Sequence, residues 1–198
     1  MVLLTGARLV ALDTETTGMS PADGSALVEV ASVTLESGAF GAEWSSLVRP
    51  GRPIPPEAVR VHGITDAMVA DAAEPGAIAG RLRATCGDLP LVFHNAPFDL
   101  PFLEDLMRRS GQPPLFNPIV DTLGLARGLF DGGGNSLGAL AARLRLPTQT
   151  AHRALGDART TANLFLHLAR RWEEEREVRS LAELAAVSQD VLRLTARR

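Results

Sequence analysis

Residues 8–12, Arg-Leu-Val-Ala-Leu, form a short, mostly apolar run of the kind a buried strand shows. It runs straight into Asp13-Thr14-Glu15-Thr16-Thr17-Gly18. A β-branched, partly alternating run at 27–35 and another at 43–48 predict two more strands, with Gly38 and Gly41 marking their connection. Three antiparallel strands in a meander therefore open the fold. A proline-rich loop follows at 50–56, then a helix over 77–84 and a short buried strand at 91–93. Pro97 suits the first turn of a helix that runs to about residue 109, with Leu100, Leu103, Leu106 and Met107 on its apolar stripe and Gly111 ending it. Residues 118–122 resemble another strand end, with a helix at 123–129. Ser136 reads as the N-cap of a helix at 137–144. The last long helix opens at 152–157, and Leu155, Ala158, Ala162, Phe165 and Ala169 give it a core stripe. It turns polar at 170–179, and residues 181–194 read as an amphipathic helix set somewhat apart. Strands first, then strand–helix alternation, predict an α/β sandwich with a mixed sheet and helices on its faces.

A length of 198 residues suits one domain with a small appendage, and 45% hydrophobic with 22% charged residues is ordinary globular composition. A net charge of −3 argues against a protein held on nucleic acid mainly by a broad basic surface. It leaves open an enzyme that grips a chain end through metal ions, because acidic ligands lower the net charge. All 20 basic residues are arginine, which reads as genome composition. The single cysteine, Cys86, excludes an internal disulfide framework, suits a reducing cytoplasm and reads as a buried helix residue. No apolar run approaches the roughly 18 residues of a membrane span, and the N-terminus lacks a basic n-region. A cytoplasmic protein with no membrane partner is expected. The turn Asp131-Gly-Gly-Gly-Asn135 lacks the spacing of a phosphate loop.

The chemistry starts at Asp13 and Glu15. In an extended chain, residues two apart point to one face, so the two carboxylates converge and repel unless a cation lies between them. Asp99 falls in a helix first turn directly after His94-Asn95-Ala96-Pro97-Phe98, where a carboxylate alone is often just a dipole partner. His62, within Val61-His-Gly-Ile64, reads by itself as a surface loop residue. His152-x4-Asp157 places a histidine and a fourth carboxylate at another helix start.

Together these motifs resemble the DEDDh (DnaQ-like) 3′→5′ exonuclease family, in particular its proofreading, epsilon-type branch. The likeness covers about residues 8–170 and rests on Asp13-Thr-Glu-Thr-Thr-Gly-Met19, Val61-His-Gly-Ile64, His94-Asn-Ala96 with Phe98-Asp99, Asn135-Ser-Leu137, and His152-x4-Asp157. It implies an RNase H-like exonuclease fold, a mixed five-stranded sheet flanked by helices, over residues 1–172, with a C-terminal helical extension at 173–198. By resemblance, Asp13, Glu15 and Asp157 hold one divalent ion, Asp13 also reaches a second, and Asp99 assists through bound water. Phosphodiester hydrolysis needs an activated water and a stabilised leaving oxygen, which two metal ions about 3.5–4 Å apart supply. All-oxygen ligands favour Mg²⁺ or Mn²⁺. His152 is the expected general base, since imidazole suits proton transfer near neutral pH. A sister subfamily uses tyrosine there, and this chain contains none.

Substrate contacts carry over to Thr16, Val61, His62, His94 and Phe98, although Phe98 reads equally as a core anchor. Asp121 matches a recurrent Asp-Thr and is expected to be structural. Gly156 departs from an often acidic position and weakens a helix start. The implied substrate is single-stranded DNA or a frayed 3′ end, cut to nucleoside 5′-monophosphates, and the Met19 and Val61-His62 runs favour DNA over RNA. The alternatives are an exoribonuclease of the RNase T or oligoribonuclease type, and a non-catalytic subunit that binds a DNA polymerase or sliding clamp. Gln189-x-x-Leu192-x-Leu194 is a loose echo of a clamp-binding peptide. The intact acids and His152 argue against a subunit without activity.

Overall fold

The structure, a computed structural model, describes residues 2–148 and 152–196. Strands β1 (Arg8–Thr16), β2 (Leu27–Glu36) and β3 (Ala39–Leu47) form the expected antiparallel meander. On the other side of β1, strands β4 (Leu91–Phe93) and β5 (Ile119–Asp121) add in parallel, giving a mixed five-stranded sheet of order β3-β2-β1-β4-β5. Helices α1 (Pro56–His62), α2 (Asp66–Val69) and α3 (Pro75–Cys86) connect β3 to β4, and α4 (Ala96–Arg109) connects β4 to β5. Helices α5 (Thr122–Leu129), α6 (Leu137–Leu144), α7 (Ala154–Glu175) and α8 (Leu181–Ala196) complete the described chain.

β1 is buried on both faces, and its alternation divides the core. Leu9 and Ala11 pack with Ala158, Ala162 and Phe165 of α7. Val10 and Leu12 pack with Leu82 of α3 and Leu103 and Met107 of α4. Each of the larger side chains contributes about 1.5–3 kcal/mol on leaving water, so packing on both faces fixes β1 firmly. It runs on through Asp13 and Glu15 to Thr16, with a register shift between Glu15 and Thr16, so the acids occupy its C-terminal end. Gly41 lies inside β3, whereas Gly38 with φ 83° makes the turn before it. Cys86 is the buried helix residue expected. Among the described residues no helix is long and apolar enough to cross a membrane.

The final helix departs from expectation. α8 is not set apart but lies against α5 and β5, with Leu184 and Ser188 fully buried. Small residues allow this approach: Gly124 of α5 meets the Ser188 carbonyl and Leu192, and Gly128 meets Trp172 and Val191. The Ser188 hydroxyl accepts the Asp121 N–H at 3.1 Å, so α8 also satisfies the edge of β5. A methyl group at Gly124 would overlap the Ser188 backbone. Gly124→Ala is therefore expected to cost about 2–4 kcal/mol of stability, read as a lower urea midpoint at unchanged slope; an unchanged midpoint would mean that α8 is not docked in solution.

Candidate active site

Alternation along β1 puts Asp13 and Glu15 on the face of Leu9 and Ala11, which α7 covers. Asp157 stands in the first turn of α7, and one carboxylate oxygen from each of Asp13, Glu15 and Asp157 lies within 4.8 Å of the others. Thr14 points the opposite way and donates its hydroxyl to Asp99 Oδ1 at 2.6 Å. Asp99 is buried in the first turn of α4. The entry to that helix is held by Asp121, whose Oδ1 accepts from Asn95 N–H at 3.1 Å and whose Oδ2 accepts from Ala96 N–H at 2.7 Å. Asp121 also caps α5 through Leu123 N–H at 2.8 Å. It has the structural role expected of it, and that role positions Asp99.

The four carboxylates repel one another in a poorly solvated place. Burial, then Asp99, Asp157, Glu15 and Glu29, push Asp13 well above the carboxylate range. Burial and the charges of Asp157, Glu29 and Asp99 push Glu15 up to about 8, against a small opposing pull from Arg153. Burial raises Asp99 to about 7, opposed by the Thr14 hydrogen bonds. Asp157 is also raised by burial, opposed by the hydrogen bond from the His152 backbone. The nearby guanidinium of Arg153 is already bound to Glu29, at 2.7 and 3.0 Å. Crowded oxygen donors whose charge the chain leaves unbalanced fit a hard divalent cation.

His152 is exposed at the mouth of this cluster, in left-handed backbone conformation with φ 57°, and its N–H reaches Asp157 Oδ2 at 3.0 Å. Beside Glu15 opens a cleft of about 370 Å³, bounded by Thr16, Met19, Val61, His62 and Phe98. Met19 and Val61 are exposed. Phe98 is half-buried and packs on Phe102 with centroids 5.7 Å apart, so it is both core anchor and cleft wall. His62 is not a surface loop residue. It ends α1, is 5% exposed, and accepts the Ile64 N–H on Nδ1 at 3.0 Å, while burial lowers its pKa. His94 stands away from the cleft, with Nδ1 2.9 Å from the Thr122 hydroxyl, and burial lowers its pKa too. The sequence reading brought Asp13, Glu15, Asp99, His152 and Asp157 to one place; it missed Thr14, Glu29 and Arg153. A charge inside the apolar run of β2 was the available signal for Glu29, since buried glutamates are rare unless paired.

The RNase_T exonuclease family model matches residues 10–165. The chain is 42% identical over 164 residues to the "DNA polymerase III subunit epsilon-like protein" of Rhodobacter capsulatus, covering 80% of this chain and 23% of that protein. It is 36% identical over 169 residues to the DNA polymerase III subunit epsilon of Haemophilus influenzae, covering 80% of this chain and 66% of the relative. The chain thus spans between about a quarter and two thirds of these relatives' lengths. Among solved structures it resembles exonuclease X in complex with 5′-overhanging duplex DNA, at 32% identity and a TM-score of 0.71, covering 91% of this chain and 99% of that one.

The repulsion has a measurable sign. Folded Glu15 holds its proton up to pH about 8, whereas the unfolded side chain releases it near 4.5. The folded state binds more protons between these values, so metal-free stability falls as pH rises through that window. Thermal unfolding in EDTA is expected to follow this slope, and Asp13→Asn to raise stability at pH 8 by about 1–3 kcal/mol. Added Mn²⁺ should stabilise the wild type more at pH 8 than at pH 5, because protons compete for the same oxygens. A stability that rises with pH in EDTA would contradict a crowded acidic cluster.

Proposed function

The chain belongs to the RNase_T exonuclease family, and from that premise we propose that it hydrolyses DNA stepwise from the 3′ end, releasing nucleoside 5′-monophosphates. The single observation carrying this reading is the convergence of Asp13, Glu15 and Asp157, with ligand oxygens within 4.8 Å of one another. These three residues would hold one divalent ion, Mg²⁺ or Mn²⁺, with Asp13 shared toward a second and Asp99 supporting it. Bound there, the ions supply positive charge for the scissile phosphate and lower the pKa of a water.

The protein groups do the rest. His152 accepts the proton of the attacking water, and its exposure lets it pass that proton to solvent. Met19, Val61 and Phe98 offer apolar surface on which the terminal base rests, and Thr16 and His62 border its sugar. A cleft of about 370 Å³ beside Glu15 has the scale of one nucleotide. A 3′ terminus, single-stranded or frayed, is the substrate that suits this cleft. His94, held at Thr122 and outside the cleft lining, is assigned to the path of the strand. Attachment to a DNA polymerase, which the relatives' names carry, belongs to the same proposal. In the clamp-like echo Leu192 packs at Gly124, whereas Leu194 is 65% exposed.

Matched DNA and RNA oligonucleotides labelled at the 5′ end test the reading. With Mg²⁺ or Mn²⁺ a ladder shortening from the 3′ end is expected, faster on DNA and absent in EDTA. Asp13→Ala should abolish it and His152→Ala slow it by about 10²–10⁴-fold. Faster shortening of RNA would turn the assignment to an exoribonuclease, and no cleavage of either by wild type in Mn²⁺ would leave a binding subunit.

A further inference from the structure

Glu29 lies directly across from Glu15 in the β1–β2 register, on the same face of the sheet, and is only 2% exposed. A fifth acid beside Asp13, Glu15, Asp99 and Asp157 makes the repulsion worse unless it has a use elsewhere, and its hydrogen bonds show one. Glu29 Oε1 accepts from Arg153 Nη2 at 2.7 Å, and Oε2 accepts from Arg153 Nε at 3.0 Å and from the Ala154 N–H at 3.0 Å. Arg153 is the N-cap residue of α7, and its own side chain makes no cap bond. Glu29 therefore caps α7 from another element, taking the first orphan N–H of the helix.

His152 immediately precedes this pair and adopts φ 57°, a region that non-glycine residues avoid unless their surroundings hold them there. Two carboxylates hold that backbone from either side: Asp157 takes the His152 N–H at 3.0 Å and Glu29 takes the Ala154 N–H at 3.0 Å. The bidentate geometry fixes orientation as well as distance. We propose that Glu29 and Arg153 form a positioning brace that holds His152 in its left-handed turn over the acidic cluster. In this proposal Glu29 and Arg153 are positioning residues that act through His152. This inference rests on the reading of His152 as the general base.

The test compares wild type, Glu29→Gln, and the paired exchange Glu29→Leu with Arg153→Met. The paired exchange removes both charges of a buried ion pair, a change proteins often tolerate without loss of stability. The paired exchange is expected to keep its Tm within a few degrees, and both variants to keep their Mn²⁺ affinity within about twofold, while kcat falls about 10–100-fold and KM changes little. In a His152→Ala background, Glu29→Gln is expected to cost nothing further, since the residue it positions is gone. An equal loss with and without His152, a tenfold change in Mn²⁺ affinity, or an unchanged kcat would overturn the brace. Amide exchange at His152 and Ala154 reads the brace without activity. Exchange at least tenfold faster in the paired variant supports it even if wild type cleaves nothing and the exonuclease reading fails. Unchanged exchange overturns it even in an active enzyme.

Discussion

Carboxylates crowded at the poorly solvated end of β1 impose the condition to which the surrounding structure answers. Burial raises the proton affinity of Asp13, Glu15, Asp99 and Asp157, and neighbouring carboxylates raise that of Asp13, Glu15 and Asp99 further. A chain free to relax would move these side chains apart into water. It cannot, because Leu9 to Leu12 of the same strand are sealed between two cores, and the packing that fixes them also fixes the acids one and three residues beyond Leu12. Hydrogen bonds then oppose the cost locally: the Thr14 hydroxyl on Asp99 and the His152 N–H on Asp157. The site is thus stored strain, held by apolar burial and ready for a cation that the protein itself does not supply.

Much of this was legible in the sequence because it follows from local rules. The period of two along β1 put Asp13 and Glu15 on one face, Pro97 marked the start of α4 and hence Asp99, and Ser136 capped α6 as expected, accepting the Ala139 N–H at 3.3 Å. What was not legible depended on contacts between distant segments. Glu29 pairs with Arg153 across 124 residues, and no pattern within β2 reveals which arginine it meets. His62 read as a surface residue because it follows a proline-rich loop and precedes a glycine; the fold turns α1 so that its last residue is buried beside Thr16.

The misplaced final helix has the same origin. Its amphipathic pattern predicted a helix with an apolar face but not the surface that face would meet. The partner surface is made by glycines at 124 and 128, whose value lies in the side chains they lack. Absent atoms leave no hydrophobic signature, so a docked α8 looked like a detached one.

Docking α8 also ties the end of the chain to the site. Ser188 accepts the Asp121 N–H, and the Asp121 carboxylate holds the Asn95 and Ala96 amides that open α4. Asn95 sits at φ 72°, a conformation that needs such support. Four residues further along, Asp99 meets Thr14 of β1. The path from α8 to the acidic cluster is therefore a short series of buried hydrogen bonds, each costly to leave unpaired. The C-terminal helix belongs to the scaffold that places Asp99, just as Glu29 and Arg153 belong to the scaffold that places the α7 start. Local motifs supply the acids; long-range polar contacts decide where the acids stand.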